Sequence, residues 1–338
     1  MSLTLHRLDT ALASLPRVAL GVWPTPLVRL PRLGEALGID LWMKRDECSG
    51  LAMGGNKARK LEFVLGELMA KGARAVVTAG PVSSNHTMMT AAAARRLGLE
   101  AHVVLGGSTS AVASANVALT ELFGAHVHWT PMDPADPSAA DLERSRALCE
   151  RLCRETGGAW IPPGATMPSS VPGYASCVRE VIGQCGDSWP FAAVVVAYGT
   201  GSTSAGLLAG LALAEAAATV YAVSVSALAA MRRFEAPSPD TLAQAAIDTY
   251  AWPVSLAAAP ARCAWITPPD EPGYGRATAA SAEALRRIAR LEGHLLDPTY
   301  TAKAAAALMA MCADGRIAPG TRVLFIHTGG LSTTAASH

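Results

Sequence analysis

Short apolar runs alternate along this chain with longer stretches whose apolar positions recur every three or four residues. The runs at 41–44, 75–79, 101–105, 126–129, 193–198, 220–225 and 323–327 have strand length. The stretches 57–70, 86–97, 112–123, 139–155, 173–184, 202–216, 277–291 and 302–313 predict helices. Strands alternating with helices build parallel sheets through right-handed crossovers. A run such as 193–197, apolar at every position, suits a strand covered on both faces. The pattern therefore predicts an α/β protein with mainly parallel sheets under helices. Residues 161–164 (Ile-Pro-Pro-Gly) read as a linker, 131–137 as a turn region and 236–240 as an irregular zone. No internal repeat interrupts the pattern.

Composition narrows the picture. With 338 residues the chain exceeds one ordinary core and suits two domains. Hydrophobic residues are 51% and charged residues 16%, as large covered sheets require. The net charge of +1 gives no electrostatic case for nucleic acid or an acidic membrane as partner. The seven cysteines are scattered, without a Cys-x-x-Cys pair. Cys149 and Cys153 stand four apart without partner histidines, so they read as reduced thiols, and no metal site is expected. Asp9 and Arg17 interrupt the amino terminus before any apolar run of signal length, and 191–198 is far short of a membrane span. A soluble, cytoplasmic protein is expected.

Candidate chemistry concentrates in two glycine-bearing stretches. The first, Gly54-Gly55-Asn56-Lys57, turns into the predicted helix at 57. Asn56 can cap that helix, placing Lys57 in its first turn, where a cation is disfavoured and a neutral or covalently committed amine is better tolerated. A basic surface helix would give the same Lys57, Arg59, Lys60 pattern. Gly50 and Gly55 have phosphate-loop spacing, but Asn56 precedes the lysine and Ala58 offers no hydroxyl for magnesium, which argues against nucleotide hydrolysis. The second stretch, Gly199-Thr200-Gly201-Ser202-Thr203, follows the strand at 193–198. Free N–H groups at a helix start, hydroxyl donors and glycines that admit close approach make a phosphate cradle. Its third glycine comes too late for a dinucleotide loop, and no acidic residue ends the next strand. An amine at one helix start and an anion cradle at another suit a cofactor with an aldehyde and a phosphate, namely pyridoxal 5'-phosphate. Three stretches at carboxyl ends of strands, 79–85, 197–203 and 327–330, mark where ligands bind in open parallel sheets.

As a set, these residues resemble the pyridoxal-phosphate enzymes of the tryptophan synthase β-subunit fold, and most closely the D-cysteine desulfhydrase / 1-aminocyclopropane-1-carboxylate (ACC) deaminase family. The resemblance runs through Pro24-Thr25-Pro26-Leu27, Lys44-Arg45-Asp46-Glu47, Gly54 to Glu62, Ser84-Asn85-His86, Gly199 to Thr203, Leu296-Asp297-Pro298-Thr299-Tyr300 and His327-Thr328-Gly329-Gly330. It implies two open twisted, mainly parallel sheets with the cofactor in a cleft between domains. Residues 1–55 plus 166–338 would form the larger cofactor-binding domain, and 56–165 the smaller one. It further implies that Lys57 binds the cofactor aldehyde covalently and that Asn85 holds its phenolic oxygen. Gly199, Thr200, Gly201, Ser202 and Thr203 would take the phosphate with help from Lys60, and Thr328 would face the pyridine ring. Ser84, Asn85 and His86 would receive the substrate carboxylate, while Ser84, Tyr274 and Tyr300 join Lys57 in the chemistry. His86 could instead only cap its helix, Tyr274 be a loop aromatic and Tyr300 a buried ring. A small amino acid as substrate and a homodimer complete the expectation.

Two positions bear on the reaction. In ACC deaminases the tyrosine matching Tyr300 is followed by glutamate, and leucine precedes the glycine pair; here those positions are Thr301 and Thr328. A carboxylate beside the pyridine nitrogen would favour its protonated form, which a hydroxyl does far less. The threonines therefore point to β-elimination: Cα proton removal by Lys57, loss of thiolate, and hydrolysis of D-cysteine to pyruvate, ammonia and hydrogen sulfide. ACC deamination, L-cysteate sulfo-lysis or elimination from another β-substituted alanine are the alternatives. One departure stands out. The desulfhydrases carry glutamine before Ser-Asn-His and arginine shortly after, where this chain has Ser83 and Thr87-Met88-Met89, next to the expected carboxylate site.

Overall fold

A computed structural model describes residues 2–107, 115–133, 137–226, 236–268 and 273–330. Its strands form two sheets. The larger takes β1 (Leu27–Arg29), β2 (Asp40–Arg45), β7 (Ala193–Tyr198), β8 (Thr219–Ser224), β9 (Arg262–Ile266) and β10 (Arg322–His327), in the order β1-β2-β10-β7-β8-β9. Only β1 runs antiparallel, pairing with β2. The smaller sheet takes β3 (Ala75–Pro81), β4 (Glu100–Gly106), β5 (His126–Thr130) and β6 (Ala159–Ile161), in the order β5-β4-β3-β6, all parallel.

The helices are α1 (Leu3–Ala13), α2 (Pro31–Leu37), α3 (Lys57–Ala70), α4 (Asn85–Leu97), α5 (Ala115–Leu122), α6 (Ala139–Thr156), α7 (Val171–Gln184), α8 (Ser202–Leu213), α9 (Pro239–Thr249), α10 (Ala279–Glu292) and α11 (Thr301–Ala313). The two-residue period of a strand explains how they cover the larger sheet. Val194, Val196, Leu324 and Ile326 pack in one core with residues of α7 and α8. Val195, Ala197, Val323 and Phe325 pack in another with residues of α10 and α11. Both faces are buried, as the unbroken apolar run at 193–197 requires. Each such side chain contributes about 1.5–3 kcal/mol on leaving water. In the smaller sheet Val76 packs with α3 and α4, while Val77, Ala79 and Val104 meet Cys149 and Leu152 of α6.

In the zone at 236–240, residues 236–238 have no regular structure, but a helix already begins at Pro239. Ser238 caps α9 by accepting from the Thr241 N–H, with Pro239 in the first turn, so Ser-Pro is here a helix start. The helix expected over 202–216 ends at Leu213. Residues 112–114 of another helix, and 134–136 of the turn region at 131–137, lie outside the described residues. All seven cysteines are free thiols. No helix among the described residues is long and apolar enough to cross a membrane.

Candidate active site

The segment 44–63 is not a basic surface helix. Arg59 and Lys60 are buried, at 1% and 2% exposure. The Arg59 guanidinium donates to both Asp46 oxygens (2.9 and 2.8 Å) and both Glu180 oxygens (2.8 and 2.9 Å). Lys44 meets the same Glu180 at 2.8 Å, and the Tyr174 hydroxyl donates to Asp46. Burial pushes the Asp46 carboxyl up, but Arg59 beside it holds it below the usual carboxylate range. Glu62, one turn on, accepts from the N–H groups of Leu20 and Gly21 (2.9 Å each) and from the Trp23 indole (2.7 Å). These polar clamps fix α3 against β2, α7 and the segment at 17–23, and with it the direction in which Lys57 leaves the helix.

Asn56 precedes α3 but does not cap it with its side chain, contrary to the sequence reading. Its amide bridges two elements instead: Nδ2 donates to Thr203 Oγ1 of α8 (3.1 Å), and Oδ1 accepts from Lys57 Nζ (2.8 Å). The backbone is already helical at Asn56 (φ −62°, ψ −18°), so the side chain is free for this bridge. The N–H groups of Gly54 and Gly55 are spent on Leu51, Asp46 and Ser49, which leaves no anion loop there. Gly55 has φ +126° and Gly329 has φ +93°, and a Cβ on Gly329 would lie 2.6 Å from the Gly55 Cα. Only two glycines let these turns touch back to back. The contact brings Thr328 beside Lys57, and its carbonyl accepts from the Asn56 N–H (3.0 Å).

Lys57 is half-buried on a cavity of about 760 Å³. Burial lowers its ammonium from 10.5 to about 8, and attraction to Asp297 offsets this only in part. Across the same cavity α8 begins without a side-chain cap, at Gly201 with φ +95°. Gly199, Thr200, Gly201 and Thr203 line this wall. Ser202 stands behind it, bonding the Lys60 amine (2.8 Å) and the Gly164 carbonyl (3.2 Å). Burial and then the Lys57 charge push Lys60 well below the ordinary lysine range. The Ser204 hydroxyl, which sequence reading did not assign, is buried on this wall without a partner. A bare helix start, an orphaned hydroxyl and a buried amine are the donors that a phosphate monoester needs, so the residues present fit the phosphorylated end of the cofactor.

The remaining predicted residues line the same space: Ser84, Asn85, His86, Tyr274, Tyr300 and Thr328. Ser84, not His86, caps α4, accepting from the His86 and Thr87 N–H groups. His86 is buried, pairs through Nε2 with Thr78 Oγ1 (2.8 Å), and is held neutral by burial and by the two lysines. Asn85 is steadied by a residue sequence reading missed, Asn116 of α5, whose Nδ2 donates to Asn85 Oδ1 (3.0 Å) and to the Ser83 carbonyl (2.9 Å). The Tyr274 and Tyr300 hydroxyls stand 2.6 Å apart. Burial raises both, while hydrogen bonds from Tyr300 and Ser83 ease the rise at Tyr274. Buried Lys303, also missed, donates to the carbonyls of Val225 (2.9 Å) and Gly273 (3.0 Å) and so braces the loop that carries Tyr274. Pro272, before that loop, lies outside the described residues.

Two expectations need correction. Thr87, Met88 and Met89 do not wall the cavity; they are buried, and the methionines join the core of α3 and α4. Thr301 also turns away from it, its hydroxyl bonded to Asp297 Oδ1 at 2.7 Å. Of the positions that depart from the desulfhydrases, Ser83 reaches the cavity wall through Tyr274, and Thr87 through Ser84, whose carbonyl accepts from the Thr87 hydroxyl (3.0 Å).

Two parallel sheets meeting at a cavity, with an amine on one wall and a bare helix start on another, define the class of fold type II pyridoxal-phosphate enzymes. The family described as pyridoxal-phosphate dependent enzymes matches residues 18–329, and the chain belongs to it. The chain is 35% identical over 336 residues to the D-cysteine desulfhydrase of Salmonella typhi, covering 97% of this chain and 98% of that protein. It is also 35% identical over 324 residues to a Pyrococcus horikoshii protein described as "Putative 1-aminocyclopropane-1-carboxylate deaminase", covering 96% and 94%. Among solved structures, an ACC deaminase homologue superposes with a TM-score of 0.81 at 33% identity, over 97% of this chain and 96% of that one. Its cofactor is pyridoxal 5'-phosphate, as for the family.

The cradle makes a prediction. At φ +95°, Gly201→Ala is strained by about 1–3 kcal/mol, and its Cβ would press on the Tyr198 ring at 3.0 Å. Titration of the apoprotein with pyridoxal phosphate should show affinity reduced about tenfold; unchanged affinity would remove the α8 start from the phosphate site.

Proposed function

We propose that this enzyme is a carbon–sulfur lyase that eliminates the β-substituent of a small sulfur amino acid, with D-cysteine giving pyruvate, ammonia and hydrogen sulfide. The observation that supports the choice is Thr328 on the cavity wall, whose hydroxyl would stabilise a charged ring nitrogen far less than a carboxylate would. When bound, the cofactor supplies an electron sink for the carbanion at Cα. Lys57 takes the Cα proton. With its amine lowered to about 8, roughly a quarter is neutral half a unit below that value, against about a thousandth of an ordinary lysine. Asn56 holds that amine in line. The Tyr274–Tyr300 pair stays protonated, so one hydroxyl can donate to the other while the second donates a hydrogen bond to the sulfur, which departs as hydrosulfide and takes its proton from solvent. The substrate carboxylate docks at the start of α4, by Ser84, Asn85 and neutral His86. The positive end of α4, with the lysine charges that also reach His86, holds it there.

In the same reading, 1–55 plus 166–338 and 56–165 are the two domains; all four strands of the smaller sheet fall within the second range. A homodimer follows from the resemblance alone, and a cytoplasmic location is the expectation raised by the apolar pattern of the sequence.

The test is a panel of D- and L-cysteine, D- and L-serine, L-cysteate and ACC, scored by keto-acid production. Pyruvate with sulfide from D-cysteine is expected. Production of 2-oxobutanoate from ACC, with no turnover of cysteine, would overturn the proposal. The lysine adds a pH signature. Only its neutral form attacks an aldehyde, so the rate of loading apoprotein with cofactor should rise with pH and level off above about 8. A rate still climbing into the ordinary lysine range would contradict the lowered amine.

A further inference from the structure

The smaller sheet carries an unassigned cluster that does not line the cavity. Glu100 and His102 alternate on β4, and His126 and His128 alternate on β5. Residues two apart on a strand share a face. The parallel register pairs His102 with His126, so all four side chains fall on one face of neighbouring strands. His102 Nε2 lies 3.0 Å from Glu100 Oε1, and His126 Nε2 lies 3.3 Å from the same oxygen. The Glu100, His102 and His126 ligand atoms lie within 4.8 Å of one another. His102 is buried, whereas the Glu100 and His126 side chains are 51% and 59% exposed.

We propose that Glu100, His102 and His126 bind a transition-metal ion such as Zn2+, with His128 orienting His102. Bonds of about 2.0–2.2 Å to imidazole and carboxylate in a tetrahedron put neighbouring ligand atoms about 3.4 Å apart. Two of the three separations are already near that value, and the exposed Glu100 and His126 can swing to set the third. Two imidazoles and one carboxylate favour zinc or a neighbouring transition metal over magnesium or calcium, which prefer all-oxygen sites. The fourth position faces solvent and takes water. The opposite nitrogen of His102, Nδ1, lies 3.2 Å from His128 Nε2, the second contact that sets the plane of a ligating ring.

The site is not part of the cavity wall. Gly106, at the far end of β4, lines the cavity. Four residues of strand separate it from His102, about 13 Å. The ion instead ties β5, an edge strand, to β4.

The test is calorimetric titration of chelator-treated holoenzyme with zinc chloride near neutral pH, beside Glu100→Ala and His126→Ala. Both replacements fall on exposed side chains and leave the core intact. One saturable site per chain is expected in the parent, weakened at least tenfold in each variant, and a zinc-dependent rise in melting temperature lost with it. Absence of a saturable site in the parent would overturn the proposal. So would binding in both variants as tight as in the parent, which would place the metal elsewhere, for instance on the exposed thiol of Cys48.

Discussion

Lys57→Ala is expected to leave a folded protein that no longer holds its cofactor covalently and turns over no substrate. On the proposed assignment the replacement removes two functions at once: the amine that binds the aldehyde and the base that takes the Cα proton. General bases alone are worth about 10²–10⁴-fold, so keto-acid production should fall by at least that factor. The purified parent should be yellow, and the variant should lose that band after dialysis while its circular dichroism stays unchanged. Adding a small amine such as ethylamine, which can stand in as a diffusible base, should restore part of the rate. Retained activity above one-tenth of the parent would move the chemistry to another residue. Lys60 is the obvious rival, since it is buried on the same cavity, but its amine is tied to Ser202 on the phosphate side.

The second large effect falls on stability. Arg59→Met should cost about 3–5 kcal/mol, because removing one partner of a buried ion pair strands the others. Here Asp46, at 0% exposure, and Glu180 would both lose their guanidinium. The guanidinium also stacks on the Trp23 ring, 4.1 Å from its centroid. Urea unfolding followed by tryptophan fluorescence would read the loss. Arg59→Lys keeps the charge without the fork that grips both carboxylates, and should fall between parent and methionine variant. A cost below about 1 kcal/mol for Arg59→Met would mean that the network is only tolerated, not stabilising.

The residues proposed to carry the chemistry were legible because glycines and hydroxyls at strand ends have few other uses. Lys57, Tyr300 and the 199–203 turn were found that way or through the family resemblance, and they converge on one cavity. What supports them was not legible. Asn116 reaches Asn85 from a helix thirty-one residues on, and Lys303 braces the Tyr274 loop from thirty residues away. A lone polar residue within a helical pattern gives no sign of the partner the fold will bring. Met88 and Met89 misled for the same reason: next to Ser-Asn-His in sequence, they turn with the helix into the core. The three-residue strands β1 and β6 fell below any periodicity, and Ser-Pro-Asp at 238–240 read as a loop although it starts α9. The four-residue His/Glu cluster was invisible because its halves lie on separate strands, and only the register joins them.

The proposed chemistry depends most on where the cofactor is attached. Reducing the holoenzyme with borohydride, digesting it and sequencing the modified peptide by mass spectrometry locates that bond. A single pyridoxyl-phosphate adduct on the side chain of Lys57 is the predicted result. An adduct on Lys60, Lys303 or any other lysine, with Lys57 unmodified, would contradict it.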